Sequence, residues 1–319
     1  MAETSFCEQG VQLEDVLQRT PALLQMLPAA SLKTLLTTNS ALRRTVHGHV
    51  TLLRVPPCDL CDDDPDIQLL VRGSWTELQT LHLHCTNLET TTMSQLCKGH
   101  WPKLKHLDVS KNSLDAAAVE QLVLGQWPQL EVLALGNTRK SVWASVQHLS
   151  SSDWPMLRSL QLSNMELKSE AITELTKADW PLLSQLDLSQ NQLDSASMSQ
   201  LTSRKWPQLT DLNLGSNLLD TASMGYLATA DWPMLKTLSL RANRLTAASL
   251  SQLAKGQWPQ LAELDLECNR LEMLNQLVAA EWPALKVLVL NKAVLKLRCF
   301  PESLLQKWSS LEALELSHK

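Results

Sequence analysis

Three histidines, His82, His84 and His106, lie close together in the chain. Imidazole binds transition metals and changes charge near neutral pH, so this cluster is the first place to look for chemistry. In an extended strand His82 and His84 share one face at a separation of roughly 7 Å. That is long for a shared ion, and the three imidazoles read as a polar patch, with no metal expected. Cys58-x-x-Cys61 is a second candidate. A C-x-x-C without a second cysteine pair is a weak signal for zinc or for redox chemistry. The run Asp62, Asp63, Asp64, Pro65, Asp66 reads as a solvated loop rather than a cation site. No G-x-S-x-G, phosphate-binding loop, H-E-x-x-H or dinucleotide fingerprint occurs. With 9 Gly in 319 residues, phosphate cradles built from glycine are disfavoured as well. No enzyme activity and no cofactor are expected.

Charge and hydropathy narrow the classes further. Lys plus Arg number 28 and Asp plus Glu 33, a formal net charge of -5. A nucleic-acid-binding surface needs a basic excess, so none is expected. No run of 18 apolar residues is present, so no membrane span is expected. Residues Met1 to Thr20 are polar and acidic and lack the pattern of a secretory leader. The 7 cysteines are odd in number and scattered, which suits reduced thiols in the cytoplasm or nucleus.

What remains is a long series of polar residues at regular spacing, and tryptophan sets that spacing. Trp occurs at 75, 101, 127, 154, 180, 206, 232, 258, 282 and 308, at intervals of 24 to 27 residues. Only Trp143 stands outside the series, and eight of the ten are followed by Pro. A fixed period of this size means a solenoid. One unit runs Trp180-Pro181, Leu183, Leu186, Leu188, Asn191, Leu193 and Leu201, or L-x-x-L-x-L-x-x-N-x-L. Leu186-x-Leu188 alternates as a short strand with one buried face should. The Asn191 amide can donate to and accept from turn backbone. Asp115, Asp194, Asp220 and Thr246 suit helix N-caps, and Ala196, Met198 and Leu201 offer the apolar side of a short helix. Pro181 holds Trp180 extended, stops the helix and is expected at the first strand position. The tryptophans are expected in one continuous core. Val50, Leu53, Val55 and Leu60 fit the template one unit upstream, with Cys58 at the Asn position.

These units resemble the leucine-rich repeat family. The resemblance covers most of the chain and implies an α/β solenoid: a curved parallel sheet on the concave face and short helices on the convex face. Residues 47–319 then hold about eleven strands, a sheet on the order of 50 Å long. Residues between and beside the strand leucines face away from the core. They include His82, His84, His106, Asp108, Gln161, Asp187, Asp211, Asn213, Arg241, Glu263, Asp265 and Glu267. This face is polar and mostly acidic, with an acidic run along the later strands. It suits a basic or hydrogen-bonding segment of a partner protein.

Two parts break the pattern. After Trp127 the unit has Thr138 where Asn is expected, and the next has Met165 there, so a bulged loop near 137–145 is expected around Trp143. No polar capping unit follows Leu311, Leu314 and Leu316. The last strand is therefore expected to be blunted by Glu315, His318 and Lys319, or covered by a partner, unless the chain is truncated. Residues 1–46 lack the repeat. Leu24, Leu27-Pro28, Leu32, Leu35 and Leu42 lie at a spacing that resembles an F-box. That resemblance implies docking on a Skp-type adaptor of a cullin–RING ubiquitin ligase. The opening Leu-Pro pair of that family is replaced by Leu13-Glu14, and its late Trp by Leu42. A helical cap over the first strand is the alternative.

Overall fold

A computed structural model of the protein describes residues 50–55, 70, 71, 73, 75–138, 146–291, 308 and 310–317. Each unit begins at its Trp with a tight turn. The Leu183 N–H donates to the Trp180 carbonyl at 3.1 Å, and the same bond recurs from Leu78–Trp75 to Leu311–Trp308. Pro181 fills the second place of this turn, where its fixed φ is favourable. Proline therefore makes a turn and does not start the strand, which begins only at Gln185.

The strands are β1 Leu52–Arg54, β2 Thr80–His82, β3 His106–Asp108, β4 Val132–Ala134, β5 Ser159–Gln161 and β6 Gln185–Asp187. They continue as β7 Asp211–Asn213, β8 Thr237–Ser239, β9 Glu263–Asp265, β10 Val287–Asn291 and β11 Ala313–Ser317. All eleven form one parallel sheet in chain order. The register sets leucine beside leucine: Leu53 beside Leu81, Leu81 beside Leu107, Leu186 beside Leu212. Short helices return the chain: α1 Thr90–Leu96, α2 Ala116–Leu124, α3 Val146–Leu149, α4 Ser169–Leu175, α5 Ser195–Ser203, α6 Thr221–Leu227 and α7 Ala247–Leu253. A 3-10 turn over Asn275–Ala279 takes the helix's place before β10.

The expected caps are present. Asp115, Asp194 and Asp220 accept from Ala118, Ser197 and Ser223 N–H groups, and Thr246 heads a capping box with Ser249. In α5 the buried residues are Ser197, Met198 and Leu201; Ala196 is exposed, because the capping box turns Ser197 inward in its place. The ten periodic tryptophans are all buried, in one cluster with the strand and helix leucines. Burying a large apolar side chain contributes about 1.5–3 kcal/mol, so this stack is a main source of stability.

Asparagine ties unit to unit. Asn217 Nδ2 donates to the carbonyls of Leu188 and Leu214 at 3.1 and 3.0 Å, and its Oδ1 accepts from Leu193 N–H at 3.1 Å. Asn112, Asn191, Asn243 and Asn269 make the equivalent Nδ2 bonds, and their Oδ1 atoms accept from backbone of the unit before. The residue before each is left-handed: Lys111, Gln190, Ser216, Ala242 and Cys268 have φ near 56°. That twist aims the amide inward from the end of the strand. The ladder lapses at Thr138 and Met165. Met165 is buried, and its N–H is taken by Asn191 at 3.0 Å. Residues 139–145, with Trp143, lie outside the described residues, as do Cys58, Leu60, Cys61 and the acidic run that follows. The F-box-like positions Leu24, Leu27, Pro28, Leu32, Leu35 and Leu42 also lie outside them. Among the described residues no helix is long and apolar enough to cross a membrane.

Candidate functional site

The sheet face turned away from the helices carries three columns of side chains. The middle column runs Arg54, His82, Asp108, Ala134, Gln161, Asp187, Asn213, Ser239, Asp265, Val289 and Glu315, fixed by strand register. Thr80, His106, Val132, Ser159, Gln185, Asp211, Thr237 and Glu263 lie on one side of it. His84, Ser110, Gly136, Ser189, Gly215, Arg241 and Glu267 follow two residues later on the other.

Much of the middle column's chemistry is spent on the sheet itself. Asp108, Asp187, Asn213 and Asp265 accept from the N–H groups of Ser110, Ser189, Gly215 and Glu267 at 2.9–3.0 Å. A short acceptor at the strand end thus satisfies an amide two residues on. The third column must accordingly be small where the chain closes up. A Cβ on Gly136 would meet Ser163 Oγ at 2.5 Å. Ala134, Gly136, Ser159, Ser189 and Gly215 are buried despite facing away from the core, because neighbouring side chains cover them.

Glu267 corrects the expected acidic run. It is buried rather than displayed, and it forms an ion pair with Arg241. Arg241 is the one cation of β5–β9 on this face, and the pair neutralises it although its side chain stays partly exposed. Among the described residues Asp187, Asp211 and Glu263 form no ion pair, while Asp265 lies within the field of Arg241. Burial pushes the Asp265 carboxyl above the usual carboxylate range, and the Ser239 hydroxyl and Arg241 only partly oppose it. Ser239 Oγ donates to Asp265 Oδ2 at 3.3 Å, and Thr210 Oγ1 to Asp211 Oδ2 at 2.6 Å.

A trough of about 300 Å³ opens over β5–β8. It gathers Gln161, Asp187, Asp211 and Asn213 from the candidates named above, and adds Ser159, Gln185, Thr237 and Ser239. These last four were legible as face positions, but nothing in their residue types marks them. Glu263, Asp265, Arg241 and Glu267 lie on the flank toward the C-terminal strands. His82, His84, His106 and Asp108 form a separate group on β2 and β3. His82 Nδ1 and His84 Nδ1 are 3.5 and 3.9 Å from Asp108 Oδ2, and His106 Nδ1 is 3.4 Å from Thr80 Oγ1. Among the described residues no group of three His, Cys, Asp or Glu side chains is placed to hold a metal ion. Cys85, Cys97 and Cys268 are free thiols, and burial pushes Cys97 up to about 12.

The repeated turn, strand, asparagine rung and capped helix define a leucine-rich-repeat solenoid. Comparison with known proteins agrees at the level of fold. The chain is similar to one in the crystal structure of the yeast Rad7 and Elc1 complex, with a TM-score of 0.60 and 18% identity over 96% of this chain and 89% of that one. It is also similar to InlP of Listeria monocytogenes, with a TM-score of 0.48 and 18% identity over 87% of this chain and 72% of that one. No protein-family model and no curated protein matches the sequence.

Proposed function

We propose that this chain is a protein-interaction module, the substrate receptor of a cullin–RING ubiquitin ligase of the SCF type, acting in the cytoplasm or nucleus. Its target lies on the concave face, and residues 1–46 dock on a Skp-type adaptor. Catalysis belongs to other subunits, and this chain acts by proximity. The observation that carries the interaction role is the polar trough over β5–β8 with its uncompensated carboxylates. Such a surface favours a basic, hydrogen-bonding segment and gains steering from charge complementarity. The F-box-like spacing of Leu24, Leu27, Pro28, Leu32, Leu35 and Leu42 supports the adaptor role. The similarity in fold to a protein crystallised as a complex of Rad7 and Elc1 suits the broader protein-interaction role.

A second reading is a scaffold or inhibitor independent of any ligase, with residues 1–46 as a cap. The repeat architecture favours it, since terminal units of a solenoid need cover. Titration of the full chain against a Skp-type adaptor separates the two. Saturable binding that is lost in Leu27→Asp and in Leu32→Asp, with the repeats still folded, supports the receptor. No binding at tens of micromolar adaptor overturns it in favour of the cap.

A further inference from the structure

Two imidazoles converge on one carboxylate at the N-terminal end of the concave face. His82 Nδ1 and His84 Nδ1 are 3.5 and 3.9 Å from Asp108 Oδ2. The other carboxylate oxygen is occupied: Oδ1 accepts from the Ser110 N–H at 3.0 Å and the Ser110 hydroxyl at 2.6 Å. His84 Nδ1 is buried without a hydrogen-bond partner, although its side chain is 42% exposed. His106 is exposed on β3, and Arg54 of β1 is exposed beside His82. β4 faces this group with Val132, Ala134 and Gly136, none of them charged. Cys85 and Lys111 follow on the loops beyond His84 and Ser110.

Charge here depends on protonation to an unusual degree. With neutral imidazoles Arg54 and Asp108 cancel and Lys111 on the adjoining loop leaves one positive charge; three protonated imidazoles raise the excess to four. Imidazole is the side chain whose charge ordinarily changes between about pH 5 and 8. The carboxylates on β6 and β7 stand three to four strands away, roughly 14–19 Å, beyond a Debye length of about 8 Å at physiological salt. The two areas are therefore electrostatically separate.

We propose that β1–β3 form a second docking surface, for an acidic segment of a partner protein, which is held in mildly acidic medium and released as the imidazoles lose their protons. Arg54 and His106 offer exposed donors. Protonated His82 and His84 present charge around Asp108 that its single carboxylate does not balance. The proposal rests on the concave face being the interaction face, but not on the ligase reading.

The test uses a fluorescein-labelled octaglutamate peptide and the full chain, with anisotropy measured at pH about 5.8 and about 7.8 at a physiological ionic strength of about 0.15 M. The expected result is about tenfold tighter binding at the lower pH, a factor of two to three for each exposed pair gained. In the triple variant His82→Gln, His84→Gln, His106→Gln the ratio falls to within about twofold. The single variant His106→Gln, at an exposed position, lowers the ratio partway and serves if the triple variant does not fold. His100→Gln with His148→Gln, elsewhere on the surface, keeps the full ratio. Asp187→Asn with Asp211→Asn, which weakens a basic target in the trough, leaves it unchanged. Absence of binding at pH about 5.8, or an undiminished ratio in the histidine variants, overturns the proposal. Failure of the adaptor titration leaves it standing.

Discussion

Asn217→Ala is the sharpest test of how one unit is fastened to the next. The wild-type side chain is buried and serves four backbone groups: the carbonyls of Leu188, Leu214 and, more weakly, Gly215, and the N–H of Leu193. The losses are unequal, and Gly215 O keeps the Gln190 N–H at 2.8 Å. Leu188 O also accepts from Asn191 at 2.9 Å, and Leu214 O also accepts from Asn243 at 3.0 Å. Each carbonyl therefore keeps one donor after the substitution. Leu193 N–H loses the acceptor that Asn217 supplies. An unsatisfied buried donor costs about 1–3 kcal/mol, and each surrendered second bond about 0.5–1 kcal/mol, so the expected loss is about 3 kcal/mol. Gln192→Ala, exposed in the neighbouring unit, should stay within about 0.5 kcal/mol. Urea unfolding followed by emission of the buried tryptophans gives the total. Native-state hydrogen exchange locates it, because solenoid units can open with their neighbours before the whole chain does. A loss below about 1 kcal/mol with Leu193 still protected would refute the reasoning, since the rung would then be an ornament of the turn.

Two further perturbations follow from the same structure. At Gly256 a Cβ would stand 2.4 Å from the Trp258 indole, whereas at Gly225 in α6 nothing lies within 4 Å. Gly256→Ala should therefore cost about 1–3 kcal/mol and Gly225→Ala gain about 0.5–1 kcal/mol, both read from urea midpoints. Asp265 has its carboxyl raised by burial, so the folded state holds this proton more tightly than the unfolded chain does. Its ionised form disfavours folding above the folded pKa, and that penalty fades as pH falls through it. Asp265→Asn, which retains an acceptor for Glu267 N–H, should raise stability at pH 7 and raise it less toward pH 4. An equal gain at both pH values would contradict this assignment.

The frame of the molecule was legible because the repeat multiplies each signal. One Leu-x-Leu could be a strand or part of a helix, but ten copies in register with Trp, five of them with Asn at the rung, leave a single architecture. The caps at Asp115, Asp194, Asp220 and Thr246 were legible for the same reason. Other features depend on neighbours that periodicity does not name. The turn Trp180–Leu183 was hidden because Pro suits both a turn and an edge of a strand. The fate of Glu267 was hidden because alternation tells which face a side chain leaves from, not that Arg241 in the preceding unit will cover and neutralise it. Sequence likewise cannot show that Asp187 and Asp265 cap their own strand ends, since a displayed carboxylate and a capping one look alike in the text.

That double use of the middle column bears directly on function. Asp108, Asp187, Asn213 and Asp265 each place one side-chain oxygen on the backbone, so a substitution there perturbs the sheet as well as any partner. Residues of the first column carry less of this structural duty. His106, Gln185 and Glu263 are exposed, and Gln161 is exposed in the middle column at a strand whose third-column neighbour it does not cap. If the concave face recognises a partner, these four positions can change specificity without changing the fold, while the capping acids set the field in which recognition occurs. Alanine at Gln161, Gln185 and Glu263 should therefore alter binding while leaving the urea midpoint in place. Alanine at Asp187 should alter both, because the Ser189 amide loses its acceptor along with the partner's charge. The relation between the two measurements, position by position, separates display from scaffolding on a surface where residue type alone does not.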